Sequence, residues 1–249
     1  MTIKPLKTRI LCPPQDDLLT AIKETLKTMK EKSILAITSK VVSIWQGRCI
    51  STDQVSKEEL IISEADKYLP RDLVPGKRLM HTIKNNLFVP SAGIDASNNY
   101  YIFWPSEPKK TAKKLCDWLK KTYSLKECGV IITDSHSIPL RRGVVGISLA
   151  HAGFLPLKDY SEEVDLFGRK LGITQLNIVD SLAAAAVVAM GEGNENTPLA
   201  VLSNLPFVSF APEADTTKPY TSIEIKEEED LYQPFFANLP WKKGGGSPN

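Results

Sequence analysis

Cys128-Gly129-Val130-Ile131-Ile132-Thr133-Asp134-Ser135 decides how this chain is read. Residues 129–133 are a short, β-branched apolar run, the pattern of a fully buried strand. The run ends on a carboxylate, which is costly at the tip of a buried strand unless something binds it. A second run behaves alike: Asn86-Leu87-Phe88-Val89-Pro90-Ser91-Ala92-Gly93-Ile94-Asp95, continuing Ala96-Ser97-Asn98. Two such aspartates, with basic residues following, mark a place where a divalent cation meets phosphate.

Other elements are legible around these runs. Residues 33–38 are predicted to form a strand, followed by Ser39-Lys40-Val41-Val42-Ser43-Ile44, with Gly47 closing the unit. Asp16-Asp17 precede Leu18, Leu19, Ile22, Leu26 and Met29 at helical spacing. A helix is expected over 56–68, with Ser56 and Glu59 spaced as a capping box. From 83 to 104 the pattern reads strand, loop, strand: 87–89, then 93–99, then 100–104. Ser106 is the expected N-cap of a helix running to Tyr123, with Ala112, Leu115, Cys116 and Leu119 on one face and lysines opposite. Strands are expected at 143–150 and 199–203, and a helix at 174–190 stopped by Gly191 and Gly193. Strands and helices mix without regular alternation, which predicts an α+β fold. The composition shifts after residue 210. Residues 1–210 therefore read as the functional region and 211–249 as an extension or loosely held tail, with Phe235, Phe236 and Trp241 as candidates to dock it.

The totals exclude some classes. The 249 residues are 42% hydrophobic and 24% charged, ordinary globular values; the net charge of +2 by itself argues neither for nor against nucleic acid, and no nucleic-acid partner is expected. No apolar stretch reaches membrane-spanning length and the first residues lack a leader pattern, so a cytoplasmic protein without a membrane partner is expected. Cys12, Cys49, Cys116 and Cys128 show no paired spacing, and His81, His136 and His151 form no cluster. Zinc is therefore not expected, and the thiols read as reduced.

The candidate chemistry centres on oxygen ligands. Magnesium or manganese takes one or two carboxylates plus substrate phosphates, which suits Asp95, Asp134 and the adjacent Ser135 hydroxyl. Ser39 and Lys40 bring a hydroxyl and an ammonium to phosphate, and Asn98 offers an amide. Arg141, Arg142 and Arg169 have the fork that fits phosphate or carboxylate. Gly168, in Asp165-Leu166-Phe167-Gly168-Arg169-Lys170, allows close backbone approach. Asp180, inside an apolar helix, is expected to play a partnered structural role. The plainer alternative makes the aspartates turn residues and the arginines surface ion pairs. GxxxxGK[ST] and GxGxxG are absent, and His136 has no evident nucleophile to serve.

Together these segments resemble the coenzyme F-420-0:gamma-glutamyl ligase family, including relatives thought to glutamylate folates. The likeness rests on Ile37–Ser43 with Gly47-Arg48, Ala92–Asn98, Gly129–Ser135 with Pro139, Arg141 and Gly143–Gly146, Asp165–Leu171 and Asp180–Ala186, spanning roughly residues 33–204. It implies a two-lobed α+β subunit with mixed, largely antiparallel sheets, assembled as an intertwined homodimer. It also implies a nucleotide-dependent ligase, using GTP or ATP and two Mg2+ or Mn2+ ions, that adds L-glutamate to a carboxylate-bearing acceptor through an acyl phosphate. On that resemblance Asp95, Asp134 and Ser135 match metal ligands, and Ser39 and Asn98 match nucleotide contacts. The chain departs from the family pattern at Ile44, where a lysine is usual and for which Lys40 is the candidate replacement. It departs again at His136-Ser137-Ile138, at Ser161-Glu162 and at Glu107-Pro108-Lys109. A retained metal skeleton with altered surroundings implies a different acceptor, and a folate-type pteridine is the candidate. Two other classes stay open: a nucleotide- and metal-binding homologue without ligase activity, and a metal-dependent phosphohydrolase.

Overall fold

Ile34, Leu35, Ala36 and Ile37 are all fully buried, as are Val130, Ile131 and Ile132. Continuous burial of both parities means that these strands are covered on both faces. A computed structural model describing residues 1–77, 79–211 and 222–246 shows how. In chain order, the first half contains β1 (Thr2–Leu6), α1 (Leu18–Thr25), β2 (Ser33–Thr38), α2 (Ser39–Trp45), β3 (Cys49–Ser51), α3 (Lys57–Glu64), β4 (Lys67–Tyr68), β5 (His81–Lys84), β6 (Leu87–Pro90), β7 (Asp95–Ser97) and β8 (Tyr100–Ile102). It continues through α4 (Pro108–Tyr123), β9 (Cys128–Ser137), β10 (Val144–Ala152), β11 (Leu157–Asp159), β12 (Gln175–Asn177), α5 (Ile178–Met190), β13 (Leu199–Ser203), α6 (Gln233–Phe236) and β14 (Lys242–Lys243).

The central sheet has the order β1-β13-β2-β9-β10. Its β2–β9 pair is parallel and its other pairs are antiparallel. Leu35, Ile37, Val130 and Ile132 face a core built with α1, α2 and α4. Ile34, Ala36 and Ile131 face the opposite core, filled by α5. Gly146 lets α5 lie close on β10, since a Cβ there would sit 2.7 Å from the Ala183 carbonyl oxygen. A smaller core, with Leu60, Ile61, Met80, Ala92 and Ile94, lies under α3. The sheets β14-β4-β5-β6 and β3-β8-β7 accompany it, and every pair in them is antiparallel. The architecture is α+β with mainly antiparallel sheets, as expected. Among the described residues no helix is long and apolar enough to cross a membrane.

Four local expectations need correction. The Ser56–Glu59 capping box is present, but α3 stops at Glu64 because Lys67–Tyr68 pairs with β5. Helix α4 begins at Pro108, one residue past a left-handed Glu107, while the Ser106 N–H is taken by Gln46 Oε1 at 2.8 Å. Residues 175–177 pair with β11, so α5 starts at Ile178 under an Asn177 cap. Asp134 is not a strand tip: β9 runs on to Ser137 in a hairpin with β10, and Asp134 pairs with Ile147.

The segment expected as a loose tail is held over residues 222–246. Strand β14 adds to β4, and the Phe236 ring packs on Phe88 at 5.4 Å. The Trp241 ring meets Phe88 edge-on, whereas Phe235 stays exposed. Glu227 pairs with Lys67 at 2.6 Å and Glu224 with Lys109 of α4 at 2.7 Å.

Candidate active site

The parallel pairing of β2 and β9 ends at Thr38 opposite Thr133. The residue after β2 is Ser39, which opens α2, and the next on β9 is Asp134. A hydroxyl and a carboxylate are thus delivered together at the point where the parallel pairing of the two strands ends. Asp134 accepts from the Trp104 indole Nε1–H, from the Ser135 backbone N–H and from Ser39. Burial pushes its pKa up to about 6; these donors oppose the rise and the nearby Asp95 charge adds to it.

Asp95 arrives by a different route. It follows three consecutive left-handed residues, Ser91 (φ 54°), Ala92 (φ 52°) and Gly93 (φ 68°). Such a conformation costs about 1 kcal/mol or more at each non-glycine position and needs support. Support comes from Ser91 N–H to the Met80 carbonyl at 2.7 Å and Ala92 N–H to Thr82 Oγ1 at 2.8 Å. The turn places Asp95 at the start of β7, 2.5 Å from Lys40 Nζ. Burial raises the Asp95 carboxyl, and the Lys40 hydrogen bond and charge outweigh it, so the net displacement is downward.

Both aspartates, Ser39, Lys40 and Ser135 line one cleft of about 310 Å³. Its far wall is the loop after α5, where Glu192 accepts from Ser135 Oγ at 3.3 Å. Asn196 ties that loop to the N-terminal segment through Thr8, at 2.7 and 3.2 Å. Ile10, Leu11, Pro13 and Ile44 supply an apolar flank.

Other candidates lie apart from the cleft lining. Asn98 sits in the left-handed β7–β8 turn, and Arg141 and Arg142 are exposed on the β9–β10 hairpin loop. Arg169 is exposed in the loop between β11 and β12. Its neighbour Asp165 accepts from the backbone N–H groups of Phe167 and Arg169 at 2.8 and 2.9 Å, with Gly168 at φ 80°. Asp180 is a partnered structural residue, accepting from Ser148 N–H at 2.8 Å and Asn177 Nδ2 at 2.6 Å.

The donor set fits a hard divalent cation. Asp95 and Asp134 are close enough for the charge on one to raise the pKa of the other, and Ser135 adds a hydroxyl oxygen. Among the described residues no cluster of three or more His, Cys, Asp or Glu side chains has the arrangement of a metal cage. A hard divalent cation held by these oxygens would draw on phosphate oxygens and water to complete its shell.

Two residues at the site went unread in the sequence. Trp104 carried a signal: a buried tryptophan needs an acceptor for its N–H. Glu192 lies between two glycines that read only as a helix stop.

The family model described as F420-0:Gamma-glutamyl ligase matches residues 6–204. The chain is similar to the coenzyme F420:L-glutamate ligase of Methanopyrus kandleri, 31% identical over 225 residues, which cover 82% of this chain and 87% of that protein. The protein of the same name from Methanocaldococcus jannaschii is 33% identical over 197 residues, 72% of this chain and 79% of its own length. That from Archaeoglobus fulgidus is 37% identical over 144 residues, 57% and 55% of the two chains. With the match covering most of the chain and the candidate site inside it, this protein belongs to the F420-0:gamma-glutamyl ligase family.

Proposed function

We propose that this protein is a nucleotide- and divalent-metal-dependent ligase that joins L-glutamate through an amide bond to a carboxylate-bearing acceptor. The observation that carries this reading is the convergence of Asp95 and Asp134 with Ser39 and Lys40 in one cleft of a chain from this family. Asp95, Asp134 and Ser135 are assigned to two Mg2+ or Mn2+ ions, which when bound neutralise charge on the transferring phosphoryl group. Ser39 and Lys40 bind phosphate oxygens of GTP or ATP. An oxygen of the acceptor carboxylate attacks the γ-phosphorus, the bond to the departing nucleoside diphosphate breaks, and an acyl phosphate forms. The glutamate amine then attacks the acyl carbon, phosphate leaves, and the nitrogen gives up a proton.

The acceptor is an F-420-0-like or folate-type molecule. A homodimer is supported by the segment between β11 and β12. Its Leu166, Phe167 and Ile173 are 100%, 94% and 92% exposed, an apolar surface that a second copy would cover. Arg141 and Arg169 then become candidates to bind phosphate or carboxylate from across that interface.

The test is a substrate screen with nucleotide, Mg2+ or Mn2+, glutamate and each acceptor, read by mass spectrometry for the added glutamyl mass. Asp134→Ala is expected to abolish the product; ligation that survives this change overturns the assignment. Nucleotide binding without glutamate-dependent phosphate release would identify a non-ligating homologue, and phosphate release indifferent to glutamate a phosphohydrolase.

A further inference from the structure

Trp104 touches both carboxylate-bearing segments. Its indole N–H donates to Oδ2 of Asp134. Its ring lies against Gly93, two residues before Asp95, so closely that a Cβ at Gly93 would overlap the indole nitrogen and its ring neighbours. The side chain is 2% exposed and therefore fixed by packing. Its main chain is anchored as well: the Trp104 carbonyl accepts from Arg48 Nε at 3.3 Å, and Arg48 Nη2 donates to Glu64 of α3 at 2.8 Å. One residue thus links the turn that carries Asp95 to the central-sheet strand that carries Asp134.

We infer that Trp104 is a positioning residue for the two aspartates, its N–H fixing the rotation of the Asp134 carboxylate and its ring face fixing the turn that presents Asp95. The inference rests on the proposed metal site. A partner that orients a metal-binding carboxylate commonly changes affinity by about 10–100-fold when removed. Two substitutions separate the N–H from the bulk of the ring. Trp104→Phe keeps an aromatic ring and removes the donor. In Trp104→His the five-membered ring superimposes on the pyrrole half of indole, with Nε2 at the place of Nε1, so the donor is restored.

The experiment measures Mn2+ binding to the full chain by the electron paramagnetic resonance signal of free Mn2+, with folding checked by circular dichroism. Trp104→Phe is expected to weaken binding about tenfold or more, and Trp104→His to recover most of that loss. Equal weakening by both variants, or none by Trp104→Phe, overturns the inference. Asp134→Ala and Asp95→Ala report on the metal site itself. If they bind Mn2+ like the wild type, the metal reading fails; if they lose it while Trp104→Phe does not, only the role of Trp104 fails. A measurement on the unmodified chain guards against a variant that does not fold. With tryptophan side chains labelled with 15N, Mg2+ is expected to shift one indole N–H resonance and Mn2+ to broaden that same one. Mg2+ binding that leaves all four indole resonances in place overturns the inference.

Discussion

Lys40 Nζ stands 2.5 Å from Asp95 Oδ2, an ion pair between the first turn of α2 and the start of β7. Both side chains are substantially exposed, at 42% and 58%, so the pair stabilises the fold by no more than about 1 kcal/mol. Its significance lies in the cleft that both residues line. Lys40→Met is therefore expected to leave the unfolding midpoint nearly unchanged while raising the nucleotide KM about tenfold or more. Thermal melts and steady-state kinetics check the two halves separately.

Two half-buried groups give stability opposite dependences on pH. Asp134 has a folded pKa of about 6 against an unfolded value near 3.8, so the native state holds its proton more tightly. Its ionisation therefore destabilises the fold as pH rises from about 4 to 6, by at most about 3 kcal/mol. Burial pushes His151 down to about 4 from 6.5, with Asp180 opposing. There the unfolded chain takes the proton first, and stability is lost as pH falls from about 6.5 to 4. Asp134→Asn is expected to raise the melting temperature at pH 7 but not at pH 4, and His151→Gln to flatten the acid side. Melts across pH 4–8 in chelator-treated buffer measure both.

Gly93 and Gly168 both have positive φ, at 68° and 80°, but only Gly93 is crowded. A Cβ at Gly168 meets nothing within 4 Å, so Gly168→Ala is expected to cost about 1 kcal/mol of backbone strain. Gly93→Ala adds a clash with the Trp104 ring and is expected to cost more than about 3 kcal/mol. Denaturant unfolding of the two variants side by side gives the difference.

Residues 222–246 lie beyond the family match, which ends at 204, yet they complete a sheet. Truncation after Ala211 removes β14, the Phe236 and Trp241 rings against Phe88, and the Lys67–Glu227 and Lys109–Glu224 pairs. The expected result is faster amide hydrogen exchange in β4–β6, with β2 and β9 remaining protected. Equal protection of β4–β6 in both forms would show that the segment contributes nothing to that sheet.

Features set by neighbours in the chain were readable. The Ser56–Glu59 capping box formed where it was expected because its hydrogen bonds span one helical turn. The unbroken apolar runs at 34–37 and 130–132 announced strands, and the structure buries both on both faces. Limits imposed by distant pairing were not readable. The end of α3 is set by β5, the start of α5 by β11, and the continuation of β9 past Asp134 by β10.

The candidate site divides along the same line. The sequence by itself picked out Asp95, Asp134, Ser135, Ser39 and Lys40 by residue type and by their place after apolar runs. Only the tertiary structure decided that these five share a cleft while Asn98, Arg141 and Arg169 line none of it. It alone also brought Trp104 and Glu192 to Asp134 and Ser135. The reason is physical. A hydrophobic run fixes which residues leave water, but the parallel pairing of β2 with β9 and the packing of an indole on Gly93 join segments far apart in the chain, and local spacing does not encode which partner they meet.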